Sequence, residues 1–136
     1  MLEAVERWFK RLPPDERDMP ILRYKGRSWT PRQILREVRA GTSIGKELQE
    51  HLERLVLGLH EGEIPLELAE ERLLMWLEEF KRKYGPKAPV FITLTEGPIS
   101  AEELIRQIRE RRGLGGELLE TEREYIMEML RLYGGE

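Results

Sequence analysis

Two histidines, three serines and one glycine-rich turn are the places in this 136-residue chain where residue type invites a search for chemistry. His51 and His60 stand nine residues apart, and neither belongs to an HExxH or ExxH pair, the spacings that set metal ligands on one helix face. Glu47 lies one helical turn before His51, which reads as a surface i,i+4 contact. Ser28, Ser43 and Ser100 sit in no GxSxG elbow, and Ser100 reads as a helix cap. With no cysteine, thiol nucleophiles, disulfides and zinc-thiolate centres are excluded. The expected site list therefore holds no catalytic residue, no metal ligand and no cofactor.

Binding chemistry is better represented. Arg111-Arg112-Gly113-Leu114-Gly115-Gly116 puts two guanidinium groups and three glycines before a predicted helix, which reads first as a structural turn needing positive φ and, without the GxGxxG or GxxxxGK[ST] spacing, only second as the beginnings of an anion site at a helix N-terminus. Arg23, Lys25, Arg27, Arg32, Arg36 and Arg39 fall within seventeen residues opposed only by Glu37, with Tyr24 and Trp29 interleaved. Arginines neutralise phosphates and an aromatic ring stacks on a base, so nucleic acid is one expected partner of this stretch. Glu96, Glu102 and Glu103 make the corresponding region of the second half acidic, and a basic face opposed by an acidic one equally suits self-association or a charged protein partner.

The elements that carry these residues read as one unit used twice. Thr30–Leu48 and Ser100–Leu118 superpose without a gap at an offset of seventy, with Ile34 over Leu104, Val38 over Ile108, Ile44 over Leu114 and Leu48 over Leu118. Arg36, Arg39, Gly45, Glu47 and Leu48 recur as Arg106, Arg109, Gly115, Glu117 and Leu118. Each copy opens on a hydroxyl cap, runs a short apolar-periodic helix, and breaks in a glycine-bearing turn before a longer helix. Upstream of each lies a short β-compatible run, Ile21–Tyr24 and Val90–Leu94, the first followed by a Lys25-Gly26-Arg27-Ser28 turn. Upstream again lies a helix: Leu2–Leu12, stopped by Pro13-Pro14, and a longer one from Pro65 to Tyr84 with Leu73, Trp76, Leu77, Phe80 and Tyr84 on one side, stopped by Gly85-Pro86.

The expected fold is mainly α with a minor β component: two tandem copies of a helix-strand-helix-helix unit, about 1–60 and 64–136, in a single domain of 136 residues around one core. The two lone strands are expected to pair with each other across a pseudo-twofold axis as a small two-stranded sheet. The repeats meet at His60-Glu-Gly-Glu-Ile64. Ile34, Val38, Leu48, Leu52, Leu55, Leu73, Trp76, Leu77, Phe80, Ile108, Leu118 and Ile126 are the expected core.

No stretch approaches the ~20 apolar residues of a membrane span, so a soluble cytoplasmic protein is expected. Charged residues make up 36% of the chain, Asn is absent and Arg greatly outnumbers Lys, a composition typical of thermophiles. Residues 1–60 carry 12 Lys and Arg against 9 Asp and Glu, whereas residues 61–136 carry 11 against 17. A sound core, segregated charge and no reactive constellation together predict a non-catalytic protein–protein interaction module: an adaptor, a regulator or a small subunit of a larger assembly. A nucleic-acid-binding protein is the alternative, and an enzyme without a recognisable motif the third reading.

Overall fold

The computed structural model describes residues 2–58 and 64–134, and among them most residues are helical. In chain order the elements are α1 (Leu2–Arg11), β1 (Leu22–Tyr24), β2 (Arg27–Trp29), α2 (Pro31–Ala40), α3 (Ser43–Leu57), α4 (Leu66–Tyr84), β3 (Pro89–Thr93), β4 (Gly97–Ser100), α5 (Ala101–Glu110) and α6 (Gly113–Arg131), with a short 3-10 turn at Pro14–Glu16. They gather into two compact units: residues 1–68 with 123–136, and residues 69–122. His60 and the expected boundary around it, with Leu59 and Gly62, lie outside the described residues.

In the first unit Lys25 and Gly26 both take positive φ, 53° and 72°, the backbone that a two-residue hairpin turn demands. Tyr24 and Arg27 therefore face each other, and β1 pairs antiparallel with β2. The Thr30 side chain accepts from the Gln33 N–H while Gln33 accepts from the Thr30 N–H, a reciprocal cap that starts α2, with Pro31 where its missing N–H costs nothing. Gly41 leaves the helix in the left-handed conformation, and the Thr42 hydroxyl then caps α3 by accepting from Gly45 N–H. A Cβ on Gly45 would fall on the Glu37 carbonyl oxygen, so α3 crosses α2 at a distance only glycine permits. Val5 and Trp8 from α1, Leu12 just after it, Ile34 and Leu35 from α2, Leu48 and Leu52 from α3, and Ile126 and Leu130 from the end of α6 are all buried in this unit. Trp8 donates its indole N–H to the Met129 carbonyl at 2.9 Å, which satisfies the one polar atom of an otherwise apolar side chain.

In the second unit Ser100 caps α5 by accepting from Glu103 N–H, and Arg111 closes it in the left-handed conformation. Gly115 lets α6 approach α5 so closely that an added Cβ would lie 2.6 Å from the Gln107 carbonyl carbon. Thr42 has no hydroxyl counterpart here, since Arg112 stands in its place. The buried Gln107 side chain accepts from Gly115 N–H instead, at 3.0 Å. Ala69, Leu77, Leu104, Ile105, Ile108 and Leu119 are buried, together with Arg72, whose Nε lies 2.8 Å from Glu122 Oε2.

Three expectations are corrected. The strands do not pair with each other across the chain: each is the first strand of its own antiparallel hairpin, and residues 27–28, expected in a turn, belong to β2. A two-residue turn leaves them on the return strand, and the local hairpin closes at little entropic cost. Trp76 and Tyr84 are exposed and Phe80 half-buried, because the apolar arc of α4 is wider than the stripe a helix buries and Arg72 and Leu77 occupy the inner side. Val38, Leu55, Leu73 and Leu118 are half-buried, whereas Trp8 and Leu22, absent from the expected core, are fully buried.

Candidate interaction surface

The basic stretch of the first unit is largely neutralised from within. Arg23 donates to Ser28 Oγ and to the Gly26 carbonyl, inside its own hairpin. Lys25 Nζ lies 2.7 Å from Glu47 Oε1, Arg32 Nε 2.7 Å from Asp18 Oδ1, and Arg39 3.0 Å from Glu6. Arg27 stacks over the Trp29 ring at 3.9 Å, covering the face a base would need. Arg36 is exposed, with no ion pair among the described residues. It sits with Arg32 and Arg39 on the rim of a groove of about 500 Å³ floored by Phe9 and Leu35.

On the acidic side the same holds in part. Glu103 bridges Arg106 at 3.0 Å and Arg112 at 3.5 Å, while Glu96 and Glu102 are exposed. The structure brings Glu102 and Glu103 onto the first turn of α5 and leaves Glu96 in the β3–β4 turn. At the glycine-rich turn, two of the N–H groups an anion would use are already bonded, Gly115 to Gln107 and Gly116 to the Arg112 carbonyl. Arg111 takes the left-handed conformation that closes α5, Arg112 pairs with Glu110 at 2.6 Å, and Gly113 opens α6 at φ 58°.

The closest approach to a reactive cluster is Tyr24, Lys25, Glu47 and His51. The Tyr24 hydroxyl donates to Glu47 Oε1 at 3.0 Å and its ring lies 4.9 Å from the His51 ring. Hydrogen bonds from Lys25 and then Tyr24 hold the Glu47 carboxyl below its ordinary range, and the same carboxylate raises both Lys25 and Tyr24. The Glu47 carboxyl is moved down and the Lys25 and Tyr24 groups up, each further from neutral pH, the reverse of the tuning that general acid–base catalysis requires. Among the described residues no group of three or more His, Asp or Glu side chains is placed to hold a metal ion.

Large apolar side chains are a different matter. Eight stand exposed among the described residues, and six of them, Met75, Trp76, Tyr84, Phe91, Ile92 and Leu94, belong to the second unit. Trp76, Phe80 and Tyr84 follow one another at four-residue spacing along α4, with ring centroids 6.1 and 4.8 Å apart, and line a groove of about 390 Å³ with Glu79 and Lys83. Ile92 is 79% exposed and Leu94 wholly so, on a hairpin whose register slips between Pro89 and Phe91. No family model, no curated protein and no solved structure matches this chain. Sequence reasoning missed this surface because an amphipathic pattern does not say which edge of a wide apolar arc is covered. The signal available was that width, together with an uncharged PVFITLT run too short to bury itself.

Proposed function

We propose that the protein is a non-catalytic interaction module, an adaptor, regulator or small subunit of a larger assembly. The observation that carries this reading is the concentration of six exposed large apolar side chains in residues 69–122. Exposing Trp, Tyr, Phe, Ile and Leu together is costly in water and marks surfaces that a partner covers. Arg27 and Arg36 on one unit, and Glu96 and Glu102 on the other, have no ion pair among the described residues and supply the charge that steers approach. A nucleic-acid partner at the basic stretch takes second place, since the internal carboxylates and the covered Trp29 face remove most of what phosphate and base would use. Thermophilic origin and a cytoplasmic location belong to the same reading and rest on composition.

The module is further read as a duplicated unit of helix, hairpin, helix and helix. Supporting this, the two halves have the same order of elements, and Gly45 and Gly115 make the same close approach to the preceding helix. The groove lined by Arg32, Leu35, Arg36, Arg39 and Ala40 also has a counterpart seventy residues on, lined by Glu102, Ile105, Arg106, Arg109 and Glu110.

Capture of partners from the source lysate by immobilised wild-type protein and by Trp76→Ala, identified by mass spectrometry, tests the function. Partners lost with Trp76→Ala are expected. A chain that is monomeric and captures nothing, or one that captures the same set of other proteins with and without Trp76→Ala and does not self-associate, sinks the reading.

A further inference from the structure

The second unit offers its partner a strand edge, and the two edges of its sheet differ. Pro98 faces Ile92 across the ladder and has no N–H to donate. The two must therefore form a non-hydrogen-bonded pair, in which the backbone groups of both residues point away from each other. Along the outer edge of β4 this leaves a missing donor, which blocks the addition of another strand there. Along the outer edge of β3 it leaves the N–H and C=O of Ile92 facing outward, and no bond from Ile92 to another segment occurs among the described residues. Phe91, Ile92 and Leu94 are exposed around that edge, and no charge interrupts residues 88–95, where an unpaired edge is ordinarily defended by one.

Resting on the interaction-module reading and naming its occupant, we infer that β3 pairs antiparallel with β3 of a second copy of this chain. The two hairpins then join into one four-stranded sheet with both β3 strands at its centre. Charge selects this occupant and this direction. Lys87 precedes the apolar run and Glu96 follows it, so antiparallel self-pairing brings the Lys87 end of each strand to the Glu96 end of the other, whereas parallel pairing sets like against like. A twofold axis through the pairing makes every contact occur twice, so even a short strand gains a doubled set of bonds and apolar contacts. Because β4 is blocked by Pro98, each sheet has one usable edge, and association closes at a dimer rather than running on as a fibre.

Sedimentation velocity of the full chain from about 1 to about 100 µM, a range spanning ordinary interface affinities, tests the inference. The expected result is a doubling of mass from 16.1 kDa with rising concentration, retained by Trp76→Ala and lost in Ile92→Pro, which removes the outward N–H and none that β4 uses. If circular dichroism shows that Ile92→Pro unsettles the hairpin, Ile92→Lys, a change at a side chain 79% exposed in the single chain, replaces it and should shift the midpoint of dimerisation at least about tenfold. A wild-type chain that stays monomeric throughout, or a dimer indifferent to these changes at Ile92, overturns the second-copy proposal. A monomer that still captures another protein through Trp76 overturns this inference alone and leaves the interaction-module reading standing; a monomer that captures nothing overturns both.

Discussion

A single side chain, Gln107, shows how a missing cap is replaced. In the α2–α3 pair the N–H at the start of α3 is satisfied by the Thr42 hydroxyl, 3.0 Å from Gly45 N. Arg112 at the corresponding place between α5 and α6 has no acceptor, and the Gln107 amide oxygen reaches across from α5 to take the role in a buried setting. Truncating it leaves a buried donor unpaired, so Gln107→Ala should cost about 1–3 kcal/mol in chemical denaturation, against a few tenths for an exposed change such as Arg106→Ala. Tyr133 is tied to its unit in a comparable way, donating its hydroxyl to Glu53 Oε1 at 3.0 Å. Burial, and then this carboxylate, push the Tyr133 phenol well above its ordinary 10.0, while the bond from Tyr133 holds Glu53 below its ordinary 4.5. A depressed carboxyl contributes stability that is present above the unfolded value and lost as pH falls through the folded one. The melting temperature should therefore drop as pH falls below 4.5, and Glu53→Gln should make that drop shallower in a thermal-melt series. An equal slope in the two proteins would mean that the Tyr133 contact is not formed in solution.

At the scale of elements, helix pairs are set by glycines rather than by large side chains. Gly45 admits α3 against the Glu37 carbonyl, where any Cβ meets backbone that cannot rotate away. Gly45→Ala should therefore destabilise the fold by about 1–3 kcal/mol, although alanine is the better helix former by nearly 1 kcal/mol, because the steric term falls on main chain. Equilibrium urea unfolding decides it, with Gly26→Ala unsuitable as a control since that turn needs positive φ. A neutral or stabilising result would mean that α2 and α3 separate without penalty. Hairpins obey similar local rules: Lys25-Gly26 and Gly97, which opens β4 at φ 72°, each turn the chain within a few residues, so each strand finds its partner in its immediate neighbour.

For the molecule as a whole, charge and apolar surface play different parts. Asp18, Glu6 and Glu47 sit against Arg32, Arg39 and Lys25 on exposed positions, where each pair contributes little to stability but cancels the field a distant polyanion would feel. On the proposed reading, association is carried by the apolar side chains of Trp76, Ile92 and Leu94, which ions do not screen. Capture should accordingly persist at about 1 M salt, where the Debye length is about 3 Å, with only the rate of association reduced. Loss of all captured protein at that salt would return the charged residues to the leading role.

What the sequence by itself determined was periodicity and local chemistry: six helical stretches, the hydroxyl caps at Thr30 and Ser100 and the helix end at Gly41. These follow from interactions within a few residues of each position, so a one-dimensional reading contains them. Only the tertiary structure decided which charges neutralise one another, since Arg32 meets Asp18 and Arg39 meets Glu6 across 14 and 33 residues of chain. It likewise decided that Trp8 is buried on Met129 while the equally amphipathic Trp76 stays in water. An apolar stripe records that a face can be covered; what covers it depends on elements far away in sequence. For α4 and β3 no element within the described residues of the second unit covers that face completely.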